Sequence, residues 1–335
     1  MTVTVGPEHR HAQGTTRYRA LSLRDVTEIL KQRGVGPDVV DDVRAVGAVL
    51  PFRVNDHVLD NLIDWDDIPH DPMFQLLFPQ PGMLDPAGLA TMRRLSTAVL
   101  RRHVEPLLDP RLDRLEAIRI GTKSLTFWPA RFCSDADAPD LLRLFEQVVA
   151  PGRSLVLVAD LSHPRELQSA ATRRAIRLAR STGANIYCQV PLVAHVNDRP
   201  ETWERLWNAE VKLGCVPYYM FVERDTGPRR YFEVPLIRAH DILATAYRMS
   251  SGLARTVKGP VMSATPGKVV IDGYERQEGD HVTMQLCFVQ SRNAAWVGRP
   301  FTAKTTTEAT WFSHLQPSGT QPWWSEESAA TRRPT

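Results

Sequence analysis

An α/β protein with parallel strands wound in barrel fashion is predicted, on three observations. From residue 115 to 249, short apolar runs alternate with amphipathic stretches of helical length. Repeats of that size imply parallel strands joined by crossover helices. The apolar run Val216 to Val222 breaks directly into Glu223, Arg224 and Asp225 and a Thr226-Gly227-Pro228 turn. A strand that ends in charge and leads to a helix is how a β/α barrel presents chemistry at its mouth. A single lysine, Lys268, follows Pro266-Gly267 on a predicted turn ahead of another β-rich run.

The elements follow in chain order. Residues 1–20 read as a disordered tail, and 21–114 as a helical and wrapping segment. Ser22 is placed to cap a helix through Leu30 and Lys31, stopped by Gly34 and Gly36, and a second helix covers 38–49. Residues 51–84 mix Asp, Pro and aromatics and are expected to wrap a surface as several short pieces. From Asp85 a helical pattern resumes through Leu89, Met92, Leu95, Val99 and Leu100 to about Leu107.

Residues 115–265 carry the alternation. Strands are expected at 115–121, 154–161, 185–192 and 216–222. Helices are expected at 139–149, from Pro164 to Gly183, through Trp203, Leu206, Trp207 and Val211, and at 236–249. Residues 266–313 form a C-terminal β region in which 268–273 and 281–290 pair as a hairpin. Residues 314–335, rich in Pro, Ser and Thr, read as a disordered tail.

Composition excludes several classes. The net charge of +3 is small and of mixed sign throughout, so no nucleic-acid footprint is present. No apolar run approaches a membrane span and the N-terminus is polar, so neither a membrane nor an export signal is expected. Four scattered cysteines suggest a reducing, cytoplasmic setting.

The segments PYYMFVERDTG, SGLARTVKGP, MSATPGK, IRIGTK, SHPREL, and QVPL with VND resemble, in one order, the lysine 2,3-aminomutase family of radical S-adenosylmethionine enzymes. Residues 51–84 resemble that family's N-terminal segment. The resemblance covers most of residues 50–313. It implies a radical S-adenosylmethionine barrel, migration of an amino group between adjacent carbons of an amino acid, and pyridoxal phosphate as a cofactor linked to Lys268. A lysine in a barrel mouth suits that link when burial or a neighbouring cation lowers its pKa.

The departures matter as much. The family holds a 4Fe-4S cluster on CxxxCxxC, because soft anionic thiolates are what retain iron–sulfur clusters. Cys133, Cys188, Cys215 and Cys287 share no such spacing, and the sequence contains no Gly-Gly pair and so no GGDP strand end. In the family both features lie between the segments matching FPQPGML and VLRRHVEPLLDP, which here are joined only by 85–100. The resemblance therefore implies a partial barrel lacking its first two strands, with about four of six remaining. The cluster and S-adenosylmethionine are not expected here, and no metal site is. The strand at 115–121 has lost its neighbour. Its edge is expected to be covered by the 85–107 helix, the N-terminal segment or a second chain.

The resemblance and the strand ends together nominate site residues. Lys268 is the catalytic candidate, with Gln189, Tyr219 and Arg255 beside it for the cofactor. Lys258 is an added cation. Asp225, with Glu223, is nominated for a substrate ammonium, with ion pairing to Arg224 or Arg229 as the competing role. His163 is read as an acid or base or, next to Pro164, as a helix cap. Asn197 is read as a ligand hydrogen-bonder or a turn residue. Val261 to Thr265 hold no aspartate where lysine-specific members carry one, so lysine is not implied as substrate. Four readings stay open: an aminomutase-like protein inactive alone as a radical enzyme, a non-radical pyridoxal-binding protein using Lys268, a non-catalytic partner in a homo-oligomer or with an intact homologue, and a truncated, inactive product.

Overall fold

The structure, a computed structural model, describes residues 18–40, 43, 52–78, 97–135, 137–224 and 228–318. Its centre is a nine-stranded mixed sheet in which spatial order follows chain order. The strands are β3 (Ala117–Thr122), β4 (Ser154–Ala159), β5 (Asn185–Leu192), β6 (Val216–Val222), β7 (Lys258–Ala264), β8 (Gly267–Arg276), β9 (His281–Ser291), β10 (Pro300–Thr306) and β11 (Gln316–Pro317). A separate antiparallel pair, β1 (Ala20–Ser22) with β2 (Arg53–Asn55), belongs to the N-terminal segment. Strands β3 to β7 run parallel and β7 to β11 antiparallel. The parallel set therefore numbers five among the described residues, one more than expected.

The additional strand is β7, which the sequence pattern hides. Its residues KGPVMSA contain a glycine and a proline, both depleted in strands. What seats it is packing: Gly259 lies so close to Met220 that a Cβ there would come within 2.6 Å of the Met220 carbonyl oxygen. The expected helix from Pro164 to Gly183 is in fact two pieces, a 3₁₀ turn Pro164–Leu167 and a helix Ala170–Ser181. Glu166 closes a capping box at the start of the 3₁₀ turn, accepting from the backbone N–H groups of Ser162 and His163 at 2.7 and 2.9 Å. Lys268 lies inside β8 rather than on a turn, because Lys268 pairs with Ser263 on one side and Gln290 on the other.

Alternation along β3 to β6 sorts the two faces of the sheet. Ile118, Leu155, Leu157, Ile186, Val190 and Met220 bury against Phe145, Ile176, Trp203 and Trp207 of the crossover helices. Each such side chain contributes roughly 1.5–3 kcal/mol when fully buried. Arg119, Tyr187, Gln189, Tyr219 and Phe221 occupy the other face. The charge of Arg119 bears on both Tyr219 and Lys268 across this face.

Ser22 caps the helix Leu23–Gln32 as expected, with its N–H and hydroxyl both donating to Asp25. The wrapping segment is made of short pieces, the helices Asp56–Asn61 and Pro72–Leu77 with a 3₁₀ turn between them. It buries its own core around Leu30, Leu62, Met73, Phe74 and Phe78. Of the expected 38–49 helix, 41–42 and 44–49 lie outside the described residues, as do 79–96 and both expected tails but for residues 18–20 and 314–318. The described part of the next helix, Thr97–Val104, packs against the helix Ala138–Val149. Among the described residues nothing pairs with the outer edge of β3, where Ala117, Arg119 and Gly121 are exposed.

Gly267 permits the reversal from β7 into β8. Its φ is +155°, and a Cβ would fall on the Gln290 carbonyl oxygen and 2.8 Å from the Ser291 Cα. Gly267→Ala is expected to cost about 1–3 kcal/mol, the cost of backbone held where only glycine is at ease. A urea melt showing an unchanged midpoint would contradict this.

Candidate active site

Five parallel strands place their C-terminal ends on one edge, and the residues that follow them form a mouth. Lys123 follows β3, Asp160 follows β4, and Glu223 follows β6. The register pairs Thr122 with Ala159, so Lys123 and Asp160 emerge side by side. Lys123 Nζ lies 3.6 Å from Asp160 Oδ1, 3.3 Å from Ser162 Oγ and 4.7 Å from the centroid of the Phe127 ring. Glu223 has its carboxyl pushed up to about 7, chiefly by burial and then by the charge of Asp160, against Arg224 and Lys123.

Lys268 enters the face that carries Tyr219 and Phe221 from the same edge, at the start of β8. Its ammonium stands 4.5 Å above the Tyr219 ring and 5.4 Å from that of Phe221. Stacking over aromatic faces suits a cation, but burial holds its pKa below the ordinary lysine range. Arg119 and Lys258 lower it further while Tyr218 opposes them. Gln189 sits beside Tyr219 in the β5–β6 register, so Lys268, Tyr219 and Gln189 share one region. Arg255 does not: it is exposed and lies ahead of the N-terminal end of β7, the end away from the mouth. Asp225 lies outside the described residues.

His163 and Asn197 hold loops in place. His163 Nδ1 accepts from the Arg165 N–H at 3.3 Å. Burial, with Arg165 and Arg205, drives its pKa down to about 4, so the ring is neutral across physiological pH. Asn197 is fully buried. Its Oδ1 accepts from Val193 N at 2.8 Å, and its Nδ2 donates to the carbonyls of Ser162 and Pro191, each at 3.1 Å. Both donors and one acceptor position on that amide are committed to tying the ends of β4 and β5 together.

Sequence reasoning missed three features. Glu166 is fully buried and also accepts from the Thr126 hydroxyl at 2.8 Å, joining the loops after β3 and β4. Arg119 gave no signal in sequence, because its charge bears on Lys268 across the sheet from a strand far away in the chain. The N-terminal segment reaches the mouth loops at three points. Asn55 donates to the Phe127 carbonyl at 2.9 Å, Arg165 donates to Asp71, and the Tyr231 hydroxyl donates to Gln75.

The four cysteines are reduced and dispersed: Cys188 and Cys215 are buried beside the carboxyl of Glu210, with Cys133 and Cys287 elsewhere. They do not converge as three thiolates of one cluster. Among the described residues, no group of three or more His, Cys, Asp or Glu side chains is arranged to hold a metal ion, and no helix is long and apolar enough to cross a membrane.

No family model matches the chain. Among curated proteins, one from Aquifex aeolicus is 31% identical over 229 residues, which is 68% of this chain and 56% of its own length. Another, from Treponema pallidum, is 27% identical over 188 residues, 55% of this chain and 50% of its own. Both are provisionally named L-lysine 2,3-aminomutase. The chain is lysine 2,3-aminomutase-like. It spans about half the length of the curated aminomutase relatives it matches.

The raised carboxyl of Glu223 has a consequence for stability. Its folded pKa, about 7, exceeds the ordinary 4.5, so the unfolded chain loses this proton first as pH rises. Stability falls through that window and the penalty is complete above it. Glu223→Gln is expected to match the parent near pH 4 and to exceed it by about 1–3 kcal/mol at pH 8. A constant difference between the two across that range in denaturant melts would contradict the assignment.

Proposed function

We propose that this chain is an aminomutase-like pyridoxal-phosphate-binding protein that has lost the iron–sulfur and S-adenosylmethionine site. The observation that carries the reading is the setting of Lys268: a lysine with a lowered pKa, held 4.5 Å above the Tyr219 ring. A lysine that gives up its proton more readily is a better nucleophile toward an aldehyde at neutral pH. The residues fit the cofactor. Lys268 would link it, Tyr219 and Gln189 would flank it, and Arg119 and Lys258 would supply positive charge for its phosphate.

When bound, pyridoxal phosphate supplies an electrophilic carbon for an amine and a conjugated ring to spread charge. The protein's own part is to keep the Lys268 amine partly dehydrated and to hold the aromatic floor beneath it. The sheet is read as a partial barrel of the radical S-adenosylmethionine type. Amino-group migration in the whole family belongs to chains that carry the cluster. This sequence has no CxxxCxxC and its thiols are dispersed, so radical chemistry is not proposed for the chain alone.

A second reading, a non-catalytic partner of an intact homologue, is favoured by one observation. The outer edge of β3 has no partner among the described residues. A second chain that supplied strands there would complete the sheet.

Incubation with pyridoxal phosphate, borohydride reduction and peptide mass spectrometry test the first reading. The expected result is a phosphopyridoxyl group on Lys268 that is lost in Lys268→Ala; labelling of other lysines only would sink it. Anaerobic reconstitution with iron and sulfide is expected to yield neither a 4Fe-4S absorbance nor 5′-deoxyadenosine. A brown protein with stoichiometric iron would overturn the proposed loss.

A further inference from the structure

We propose that the outer edge of β3 is a self-association surface: a second copy of this chain lays its own β3 antiparallel along it, about a two-fold axis at Ile120. The pairing does not depend on what Lys268 binds, and it takes the partner at this edge to be an identical chain rather than a homologue.

The two ends of the sheet are unlike. β11 is two residues long, Gln316 and Pro317, and a short edge strand with a proline resists further pairing. β3 is six residues long, pairs with β4 in unbroken register and carries neither proline nor bulge. The carbonyls of Glu116 and Thr122 accept from the N–H groups of Ser154 and Asp160, on the β4 side. Backbone groups alternate in direction along a strand, so those of Ala117, Arg119 and Gly121 point outward. Among the described residues nothing pairs with them. The apolar layer is open at the same end. Leu100, Leu107, Leu108, Leu115 and Ile120 pack against the main core but are only half-buried. An added strand would satisfy the edge and extend that layer.

The residues of β3 select the register. A two-fold axis perpendicular to the sheet passes beside a residue that meets its own copy, with every opposed pair on one face. Centres at Arg119 (117–121 paired) and at Ile120 (118–122 paired) use the most of the strand. The first sets two guanidinium groups directly opposite each other, which is destabilising. The second sets Ile120 against Ile120, Arg119 against Gly121 and Ile118 against Thr122, with no like charges opposed. Gly121 leaves room for the arginine, since a Cβ there would meet nothing within 4 Å. Arg119 lies on the face whose charge bears on Tyr219 and Lys268. Each copy therefore lends a guanidinium to the other's site face, beside Gly121 near the mouth end of β3.

Sedimentation equilibrium of the full chain tests the pairing, and a dimer is expected at micromolar concentration. Gly121→Lys sets like charges opposite Arg119 twice over and is expected to weaken the dimer about tenfold. Adding Arg119→Glu makes both pairs opposite in charge and is expected to restore it. The open space at Gly121 lets the variant fold, and matched thermal melts check this. Ile120 meets its copy at a non-hydrogen-bonded position, where Cα atoms stand about 4.5 Å apart, within reach of a disulfide. Ile120→Cys treated with oxidised glutathione is expected to run as a covalent dimer on a non-reducing gel, and the parent as a single chain. Lys268→Ala is expected to associate as the parent does, so this outcome is separate from the borohydride result. A monomeric parent, a parental dissociation constant in Gly121→Lys, no recovery on adding Arg119→Glu, or no cross-link in Ile120→Cys would overturn the pairing.

Discussion

The close approach of Gly267 to the Gln290 carbonyl is the constraint on which the site depends. Five strands arrive at the mouth edge in the same direction, and the chain must then turn back. It does so without a crossover helix, in the short link between Ala264 and Gly267, so β8 begins at the very edge where β7 ends. Lys268 is consequently delivered to the mouth by a strand that runs away from it. Had β8 been a sixth parallel strand, its second residue would have lain at the far end of the sheet. The change from parallel to antiparallel pairing is thus what brings one lysine over the floor made by Tyr219 and Phe221.

Around that point, polar residues divide between those that are used up and those that are not. Asn197 and Glu166 are buried with their hydrogen bonds made, and they brace the loops after β3, β4 and β5. His163 is spent as a cap. Lys123, Asp160 and Glu223 are not fully spent in this way, in surroundings dry enough to push the Glu223 carboxyl up to about 7. Groups of the first kind set geometry, and groups of the second kind are free to meet a ligand. The N-terminal segment reaches this edge through Asn55, Asp71 and Gln75, so the mouth is built from the sheet and from that segment together.

How much of this was legible in the sequence depended on whether the signal was local. The runs 185–192, 216–222 and 236–249 coincide with elements of the structure because apolar period and stop residues coincide there. Strand β7 was illegible, because glycine and proline argue against a strand until Met220 is seen to need an open space beside it. The break after Leu167 was hidden for a related reason. A glutamate in a first turn is expected to open one continuous helix, but here its capping box with His163 opens only a 3₁₀ turn, and the α-helix starts afresh at Ala170.

By itself the sequence determined the α/β alternation, the likeness to the aminomutases, the spacing of the cysteines and the identity of the lysine at 268, since each is a property of consecutive residues. The tertiary structure alone decided that Asn197 and Glu166 are braces, that the charge of Arg119 bears on Lys268 across the sheet, and that Lys123 and Asp160 meet in an unfinished pair. Those facts are set by register, packing and desolvation. All three join residues far apart in the chain, and no run of neighbouring letters records them.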